Sequence, residues 1–490
     1  MHPAITLLNG GETRDYRWLD AMSNRAAHLM RQQGLRKGDA VALLMENSTL
    51  FLALCWGAQR AGLYYVCLST KLLPDEVEHI ITDAEAELVF VDAGLAGHLP
   101  PAPSGDRIFC AGGGLPPMQD LEVALAEMPE TPITDEMPGR DMLYSSGTTG
   151  RPKGVRSALP GGTIAEPEAS HRLLAELYNI GADDVYLSPA PLYHAAPLRT
   201  CMATHRMGGH TVVMQKFDPE AFLAAIERYR VTVTQVVPTM FARLIKLPKP
   251  VRDHYDLSSL RVAVHAAAPC PVDLKRQMLD WWGPIIHEYY SATELAGLTA
   301  IGPDEWLRKP GSVGRAVLGE PRIVGEDGEL LPPGQIGLIH FRGGPPFEYH
   351  RDPAKTASVT SPHGVTFGDV GYLDDEGYLF LTDRQNYMIV SGGVNIYPQE
   401  AENALLMHPD VVDVAVFGIP DAEMGESVKA VVEPTDWSKA GPALERQLLA
   451  YVRAQLSPLK CPRSIDFDQK LPRHETGKLY KRLIVDRYRV

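Results

Sequence analysis

A run of small hydroxyl residues and glycines followed by a lysine, Tyr144–Val155 with the sequence YSSGTTGRPKGV, decides how the rest of the chain is interpreted. Glycines let backbone N–H groups approach an anion closely, and hydroxyl groups and Lys153 add donors and charge. The run therefore predicts a phosphate-binding loop. The Walker loop is excluded because that pattern requires Ser or Thr directly after the lysine, where this chain has Gly154. Taken alone, the run also fits an ordinary polar turn.

Composition indicates a globular protein of more than one domain. The chain has 490 residues, which is too long for one compact core. Apolar residues make up 45% and charged residues 22%, an ordinary balance for a globular chain. The net charge of −14 repels a polyanionic backbone, so nucleic acid is not an expected partner.

Cysteine usage and the apolar segments predict a cytoplasmic protein with no integral membrane segment. The six cysteines are scattered without a CxxC pair, which favours a reducing compartment. The first residues lack the basic and apolar regions of a signal peptide. The most apolar stretch, residues 50–68, is interrupted by Arg60, so we expect a buried helix followed by a strand.

Alternating helical and strand-like patterns predict an α/β fold with largely parallel sheets. Residues 18–34 have the apolar spacing of an amphipathic helix that ends at Gly34. Residues 39–46 are typical of a strand and residues 50–62 of a second helix. Further strands are predicted at residues 86–92, 209–215 and 231–238.

The pattern changes after Lys309. Short strands separated by Gly and Pro predict a small antiparallel, barrel-like subdomain, followed by a hairpin over residues 371–384. A second unit with helices and strands follows, in which residues 411–420 are a buried strand and residues 443–456 an amphipathic helix. We therefore predict a large N-terminal α/β domain over residues 1–384 and a smaller C-terminal α+β domain over residues 385–490.

The run at Tyr144–Val155 resembles the phosphate-binding signature of the adenylate-forming superfamily, which includes acyl- and aryl-CoA synthetases, luciferases and peptide-synthetase adenylation domains. Further segments resemble motifs of that superfamily in the same order along most of the chain. The resemblance implies that the loop holds the phosphates of ATP, through Ser145, Ser146, Gly147, Thr148, Thr149, Gly150 and Lys153.

The segment YYSATE, Tyr289–Glu294, resembles the second nucleotide motif of the family. The resemblance implies that Tyr290 stacks on adenine, Thr293 hydrogen-bonds a phosphate and Glu294 binds Mg²⁺, as suits a carboxylate and a hard cation. Family members usually have glycine where this chain has Ser291. Without the family context, a Thr-Glu pair more often begins a helix.

Two more segments are similar to parts of the family's nucleotide pocket. HAAAPCP, residues 265–271, is similar to one wall of the adenine pocket, which Ala267, Ala268 and Pro269 would form. Residues 366–384 resemble the ribose motif, in which Asp369 would accept hydrogen bonds from both ribose hydroxyls and Arg384 would reach the ribose or a phosphate. A plain strand end and ordinary surface residues are the alternatives.

The remaining motifs concern the chemistry. LPRHETGK, residues 471–478, resembles the loop with the adenylation lysine, here Lys478. SGGVNIYPQE, residues 391–400, resembles the loop where Gly392 and Gly393 let the pantetheine arm pass. PLYHAAP, residues 191–197, places His194 near the acyl carboxylate by resemblance. A solvated lysine, a glycine turn and a buried histidine are the alternatives.

The chain departs from the family pattern at the expected hinge between the two domains. Residues Gln385, Asn386 and Tyr387 stand where many relatives have a lysine or aspartate and then an acidic residue. The resemblance implies that the C-terminal domain is mobile and rotates about Asn386. Residues 156–173 are also richer in Pro and Gly than usual, which predicts a surface loop or lid.

The resemblance implies an AMP-forming acid–CoA ligase that uses ATP, Mg²⁺ and coenzyme A. The expected acid is a hydrophobic carboxylic acid, a fatty acid first, because the segments expected around it are mainly apolar: His194, Val236–Met240, His265–Ala267 and Gly297–Leu298. Alternatives are an aromatic or alicyclic acid, transfer to a carrier protein, and a non-catalytic nucleotide-binding protein on the same fold. A homodimer is compatible with the sequence, which does not specify an oligomeric state.

Overall fold

The structure, a computed structural model, describes residues 2–8, 10–100, 107–145, 152–166, 168–384, 387–391, 394–421, 424–473 and 479–488. Its strands are β1 (Pro3–Leu7), β2 (Thr13–Asp15), β3 (Ala40–Leu44), β4 (Tyr64–Cys67), β5 (Ala86–Asp92), β6 (Ile108–Ala111), β7 (Gln119–Asp120), β8 (Arg140–Asp141), β9 (Leu143–Ser145), β10 (Lys153–Arg156), β11 (Val185–Ser188), β12 (His210–Val213), β13 (Val233–Val236), β14 (Val262–His265), β15 (Ile286–Ser291), β16 (Leu298–Ile301), β17 (Ser312–Leu318), β18 (Glu320–Val324), β19 (Gly337–Arg342), β20 (Glu348–Tyr349), β21 (Thr360–Ser361), β22 (Gly364–Leu373), β23 (Leu379–Arg384), β24 (Ile389–Ser391), β25 (Val394–Ile396), β26 (Val411–Asp421), β27 (Gly425–Pro434) and β28 (Ser464–Phe467).

The helices are α1 (Tyr16–Gln32), α2 (Thr49–Arg60), α3 (Pro74–Asp83), α4 (Leu121–Ala126), α5 (Ala169–Tyr178), α6 (Ala195–Arg206), α7 (Pro219–Tyr229), α8 (Pro238–Ile245), α9 (Lys249–Arg252), α10 (Val272–Trp282), α11 (Pro303–Arg308), α12 (Pro353–Ser358), α13 (Pro398–Leu406), α14 (Pro442–Arg453) and α15 (Lys481–Val485). Helices and strands alternate along the first half of the chain. The predicted α/β fold class is confirmed.

The chain divides into two compact units that are not simple halves of the sequence. Unit 1 comprises Met1–Val236, Leu247–Ala263 and Pro346–Ala357, and unit 2 comprises Val237–Lys246, Val264–Pro345 and Ser358–Val490. The division falls within β14 and groups the C-terminal residues with the second unit. The domain boundary predicted between residues 384 and 385 remains a prediction.

Unit 1 contains parallel sheets, as the alternating pattern predicts. One sheet has the order β7-β6-β5-β3-β4-β8, and its pairs are parallel. Strands β1, β12, β11 and β13 are also joined by parallel pairs, with β2 antiparallel at the edge. A third sheet, β20-β10-β9, is antiparallel and carries Lys153 at the start of β10.

Unit 2 contains an antiparallel run of strands. Their order is β15-β16-β17-β23-β22-β19-β18, which includes the hairpin predicted over residues 371–384. The short strands expected after Lys309 thus continue directly from β16 through β17. A core of buried residues on this run includes Val313, Ile339 and Phe341.

A second sheet of unit 2, formed by β24–β28, explains the apolar run at residues 411–420. Alternate residues of β26 enter two different cores: Val414 and Val416 pack in one, and Ala415 and Phe417 pack in the other. Side chains of a strand point alternately to its two faces, so a strand covered on both faces reads as continuously apolar. The predicted buried strand is confirmed as part of β26.

Two element boundaries follow from local chemistry. Helix α1 begins after Asp15, whose side chain accepts a 2.8 Å hydrogen bond from the Trp18 N–H and so satisfies one of the unpaired donors of the first turn. The strand predicted over residues 231–238 ends at Val236, because Pro238 occupies the first position of α8.

Among the described residues no helix combines the length and apolarity needed to cross a membrane.

Candidate functional site

Two of the predicted nucleotide-binding residues meet in unit 2. The Tyr290 hydroxyl, on β15, donates a 2.7 Å hydrogen bond to Asp369 Oδ2, on β22. Asp369 is largely buried and stands opposite Arg384 in the register of β22 and β23. The Tyr290 ring lies beside Phe341 and Phe367, with centroid distances of 6.1 and 6.3 Å. A tyrosine, an aspartate and the backbone of an arginine therefore converge on the antiparallel run.

A β-bulge in β22 sets the direction of the Asp369 side chain. Between the pairs Leu338↔Val370 and His340↔Thr366, β22 uses two more residues than β19. Gly368 lies in this bulge with φ of +79°, a backbone conformation that glycine adopts without strain. Bulges of this kind reorient a side chain relative to a regular strand. We infer that the glycine before Asp369 is required by backbone geometry.

The predicted adenine wall follows β14 directly. Ala267 and Pro269 are exposed and Ala268 is half-buried. Ala267 has φ of +74°, which is unfavourable for a residue with a Cβ and is found at sites where the surrounding structure imposes it. The wall therefore presents small, exposed side chains on a constrained backbone.

Thr293 and Glu294 lie in a turn after β15, which differs from the helix start that the pair would favour without the family context. Leu295 has φ of +50°, and its N–H donates to the Ala292 carbonyl at 3.0 Å. Ser291, where relatives have glycine, donates from Oγ to the Gly297 carbonyl at 2.7 Å. This bond closes the loop that holds Thr293 and Glu294.

Gly297 has a packing role. A Cβ at this position would lie 2.0 Å from Cγ of Phe341, far inside van der Waals contact. Because Phe341 is fully buried and lies next to Tyr290, it has no room to move away. The predicted placement of Gly297 along the acid pocket stays a prediction, but the need for glycine here arises from Phe341.

A buried charged network beside these motifs was missed from the sequence. Lys275 Nζ, on α10, donates a 2.6 Å hydrogen bond to Glu288 Oε2, and His265 Nε2 lies 3.2 Å from the same oxygen. The Lys275 ammonium also lies 4.7 Å from the centre of the Trp306 ring, which adds a cation–π contact. His265 begins the adenine wall segment and Glu288 precedes Tyr290 by two residues. The sequence signal that could have indicated this network is the presence of titratable residues beside two motifs.

The charges of this network follow from burial and pairing. Burial raises the pKa of Glu288, but His265 and Lys275 outweigh it and lower that pKa to about 2. Burial lowers the pKa of His265, so its ring is neutral at neutral pH. A neutral ring carries no charge to pair with the carboxylate, and we therefore assign the charge pairing to Lys275. The network joins α10, the end of β14 and β15 around one carboxylate.

Unit 1 places Lys153 against a carboxylate. Lys153 pairs with Ser145 in the register of β9 and β10, so the two strands flank the predicted phosphate loop. Lys153 Nζ lies 2.5 Å from Asp352 Oδ2, and the hydrogen bond from Lys153 lowers the pKa of Asp352. Asp352 was not predicted as a site residue. It lies 199 positions from Lys153, and no motif indicates it.

His194 directly precedes α6 in unit 1. Its half-buried ring stands edge-on to Tyr193, with a centroid distance of 4.4 Å. The predicted role near an acyl carboxylate stays a prediction.

Several predicted site residues lie outside the described residues: Ser146, Gly147, Thr148, Thr149, Gly150, Gly392, Gly393 and Lys478, together with the hinge residue Asn386. Ser145 and Arg384 are placed on β9 and β23 by their backbones alone. Within the part of the chain that the structure describes, no three His, Cys, Asp or Glu side chains are grouped to hold a metal ion.

Comparison with known proteins gives matches along almost the whole chain. A family model described as AMP-binding enzyme matches residues 1–347, and one described as AMP-binding enzyme C-terminal domain matches residues 400–478. A feruloyl-CoA synthase of an Amycolatopsis species is 35% identical over 487 residues, 98% of this chain and 94% of the relative. The long-chain-fatty-acid–CoA ligase FadD13 of Mycobacterium tuberculosis is 30% identical over 96% of this chain and 93% of the relative. The ATP-bound structure of MatB from Rhodopseudomonas palustris matches with a TM-score of 0.83 and 30% identity, covering 99% of this chain and 95% of that one.

Proposed function

Because the chain belongs to the AMP-binding enzyme family and is an acyl-CoA synthetase of the adenylate-forming superfamily, we propose that it activates a hydrophobic monocarboxylic acid with ATP and transfers the acyl group to coenzyme A. The products are acyl-CoA, AMP and pyrophosphate. The observation that carries this proposal is the convergence of Tyr290, Asp369 and the backbone of Arg384. An aromatic ring such as that of Tyr290 suits a base, and a carboxylate such as that of Asp369 suits a vicinal diol.

The nucleotide interacts with unit 2 through its base and ribose. The Tyr290 ring stacks on adenine, while Ala267, Ala268 and Pro269 form the opposite wall. Asp369 accepts from the ribose hydroxyls, since a carboxylate has acceptor positions for two donors besides the Tyr290 hydroxyl. Small side chains at residues 267–269 fit this assignment because a flat base needs close approach on its face.

The phosphates require donors and a cation. The loop residues Ser145 to Gly150, with Lys153, and Thr293 hold the phosphate oxygens. Mg²⁺ prefers a few carboxylate ligands and completes its shell with phosphate oxygens and water, so Glu294 as a single protein carboxylate fits it. When bound, Mg²⁺ supplies positive charge to the leaving pyrophosphate.

Activation overcomes the poor leaving group of a carboxylate. One carboxylate oxygen attacks the α-phosphorus of ATP, the bond to the pyrophosphate breaks, and an acyl-adenylate forms. Lys478 brings the two anions together as charge develops. The coenzyme A thiol releases its proton to solvent and its sulfur attacks the acyl carbon, so the bond from that carbon to the phosphate oxygen breaks and AMP leaves. Gly392 and Gly393 let the pantetheine arm pass, after rotation of the C-terminal residues about Asn386.

The acid is hydrophobic because the residues expected to surround it in unit 2 are apolar. Val237, Met240, Ala266 and Leu298 are all buried. Glu288 and Lys275, the charged groups next to His265, pair with each other at 2.6 Å. Such a surface disfavours a second carboxylate or an amino group on the substrate. The feruloyl group and the long-chain fatty acid in the names of the two relatives described above both belong to this class.

A panel of acids tests the proposal. Purified protein is incubated with ATP, Mg²⁺, coenzyme A and one acid at a time, spanning aromatic, alicyclic and fatty acids of increasing length. We expect AMP and pyrophosphate with at least one hydrophobic acid and not with amino acids or dicarboxylic acids. The carrier-loading alternative would be favoured if coenzyme A had no effect on AMP formation and a carrier protein were needed for repeated turnover. ATP binding with no AMP from any acid would support a non-catalytic nucleotide-binding protein.

A further inference from the structure

A carboxylate pairs with the lysine that follows the predicted phosphate loop. Lys153 Nζ and Asp352 Oδ2 are 2.5 Å apart, and the two side chains are 32% and 34% exposed. Both residues belong to unit 1. A triphosphate that binds Lys153 therefore has to share or displace this carboxylate, because one ammonium group has only three donors.

The chain holds Asp352 in place through its backbone. Strand β20 pairs with β10, and the N–H of His350 donates to the Gly154 carbonyl at 2.8 Å. Arg351 has φ of +57°, unfavourable for a residue with a side chain, and turns the chain directly before Asp352. The N–H of Asp352 donates to the Tyr349 carbonyl at 3.0 Å.

The two oxygens of Asp352 have separate tasks. Oδ1 accepts a 2.9 Å hydrogen bond from the Lys355 N–H, in the first turn of α12, and Oδ2 accepts from Lys153. This division fixes the carboxylate plane. Asp352 is therefore preorganised as a partner for Lys153, whereas two long surface side chains that meet in solution are not.

We propose that Asp352 is a positioning residue that competes with the polyphosphate for Lys153. While no polyphosphate is bound, Asp352 holds the Lys153 ammonium and neutralises it. ATP displaces the carboxylate because its phosphates carry more negative charge and can use all three ammonium donors. When pyrophosphate leaves, the carboxylate recovers its partner. Asp352 thus weakens ATP and pyrophosphate binding and favours product release.

This inference rests on the proposed function through the role of Lys153, and its test measures binding without turnover. Dissociation constants of ATP–Mg²⁺ and of pyrophosphate are measured by calorimetry for the wild type, Asp352→Asn and Asp352→Ser. Both substitutions remove the charge and retain an acceptor for the Lys355 N–H. We expect both ligands to bind about two- to fivefold more tightly, in proportion to a partly exposed ion pair, and the gain to shrink at high salt.

Glu348→Gln is the matched control. Glu348 lies on β20, four positions before Asp352, and its carboxylate is 4.0 Å from Arg156, so it reports the effect of removing a nearby negative charge. Its ligand affinities should stay close to the wild type. In the background of Lys153→Ala, Asp352→Asn should lose its effect.

The proposal is overturned if Asp352→Asn and Asp352→Ser weaken ATP and pyrophosphate binding, as loss of a merely supporting residue would, or leave them unchanged. A tightening of equal size in Glu348→Gln would also overturn it, because that result assigns the effect to general charge. These outcomes are independent of the acid panel: a chain that binds ATP but makes no AMP would contradict the proposed function and leave the affinity comparison intact.

Discussion

The hydroxyl of Tyr290 donates a 2.7 Å hydrogen bond to Asp369, although 79 positions separate the two residues in the sequence. Two motifs that could each be an ordinary strand in isolation are thereby joined at one place. The bond also orders the proposed site, because it fixes both the tyrosine ring and one carboxylate oxygen. Preorganisation of this kind reduces the entropy that ligand binding must overcome.

Asp369→Ala should reduce kcat/KM for ATP by about 10- to 100-fold, since hydrogen bonds to a charged group contribute about 1.5–3 kcal/mol. Tyr290→Phe keeps the ring and removes only the hydroxyl, so its effect should be within about tenfold. Steady-state kinetics with varied ATP and a saturating acid measure both variants. A larger loss in Tyr290→Phe than in Asp369→Ala would contradict the assignment of ribose binding to Asp369.

The buried pair of Lys275 and Glu288 should show strong coupling. Lys275→Met or Glu288→Gln alone leaves an uncompensated buried partner and should lower the free energy of unfolding by about 3–5 kcal/mol. The double variant removes both charges and should be less destabilised than the sum of the two single variants. Urea denaturation of the four proteins measures the coupling. Strictly additive losses would show that the two side chains do not depend on each other.

Glu288 also predicts a pH dependence. Its pKa in the folded chain is about 2, below its ordinary value of 4.5, so the folded state binds fewer protons than the unfolded state between these values. The stability it contributes is present above about pH 4.5 and is lost as the pH falls towards about 2. The free energy of unfolding should therefore fall more steeply in the wild type than in Glu288→Gln between about pH 5 and about pH 3. Parallel curves for the two proteins would refute this attribution.

Local patterns were sufficient to predict much of the fold. The apolar spacing of residues 18–34 predicts α1, and the run at residues 411–420 predicts β26, because each signal lies within one element. The strand over residues 231–238 was predicted too long, since its pattern continues into Pro238, which begins α8. The sequence alone does not indicate that Ala267 adopts a positive φ, because the constraint comes from the surrounding chain.

The site could be predicted only where a motif marks it. Tyr290, Asp369 and Lys153 were predicted through resemblance, whereas the partners of Lys153 and Glu288 were not. Asp352 reaches Lys153 through the pairing of β20 with β10, and Lys275 reaches Glu288 through the packing of α10 beneath β15. Contacts between side chains far apart in sequence depend on tertiary structure, which periodicity and spacing do not encode.

Lys478→Ala should separate the two half-reactions. We expect loss of acyl-adenylate formation, because a cation no longer stabilises the charge that develops between carboxylate and α-phosphate. Thioester formation from supplied acyl-adenylate should be largely retained. Product analysis of each half-reaction, with Lys470→Ala as a control for a lysine that we assign no role, measures the split. Equal losses in both half-reactions would contradict the role of Lys478.

Oxygen transfer tests most directly whether this chain activates a carboxylate by joining it to AMP. An acid that reacts in the panel is labelled with ¹⁸O in its carboxylate and converted with ATP, Mg²⁺ and coenzyme A. Attack of the carboxylate on the α-phosphorus transfers one labelled oxygen, which stays with the phosphate when the thiol displaces AMP. Mass spectrometry should therefore find one ¹⁸O atom in AMP and none in pyrophosphate. Unlabelled AMP, or ADP with labelled inorganic phosphate, would contradict the account.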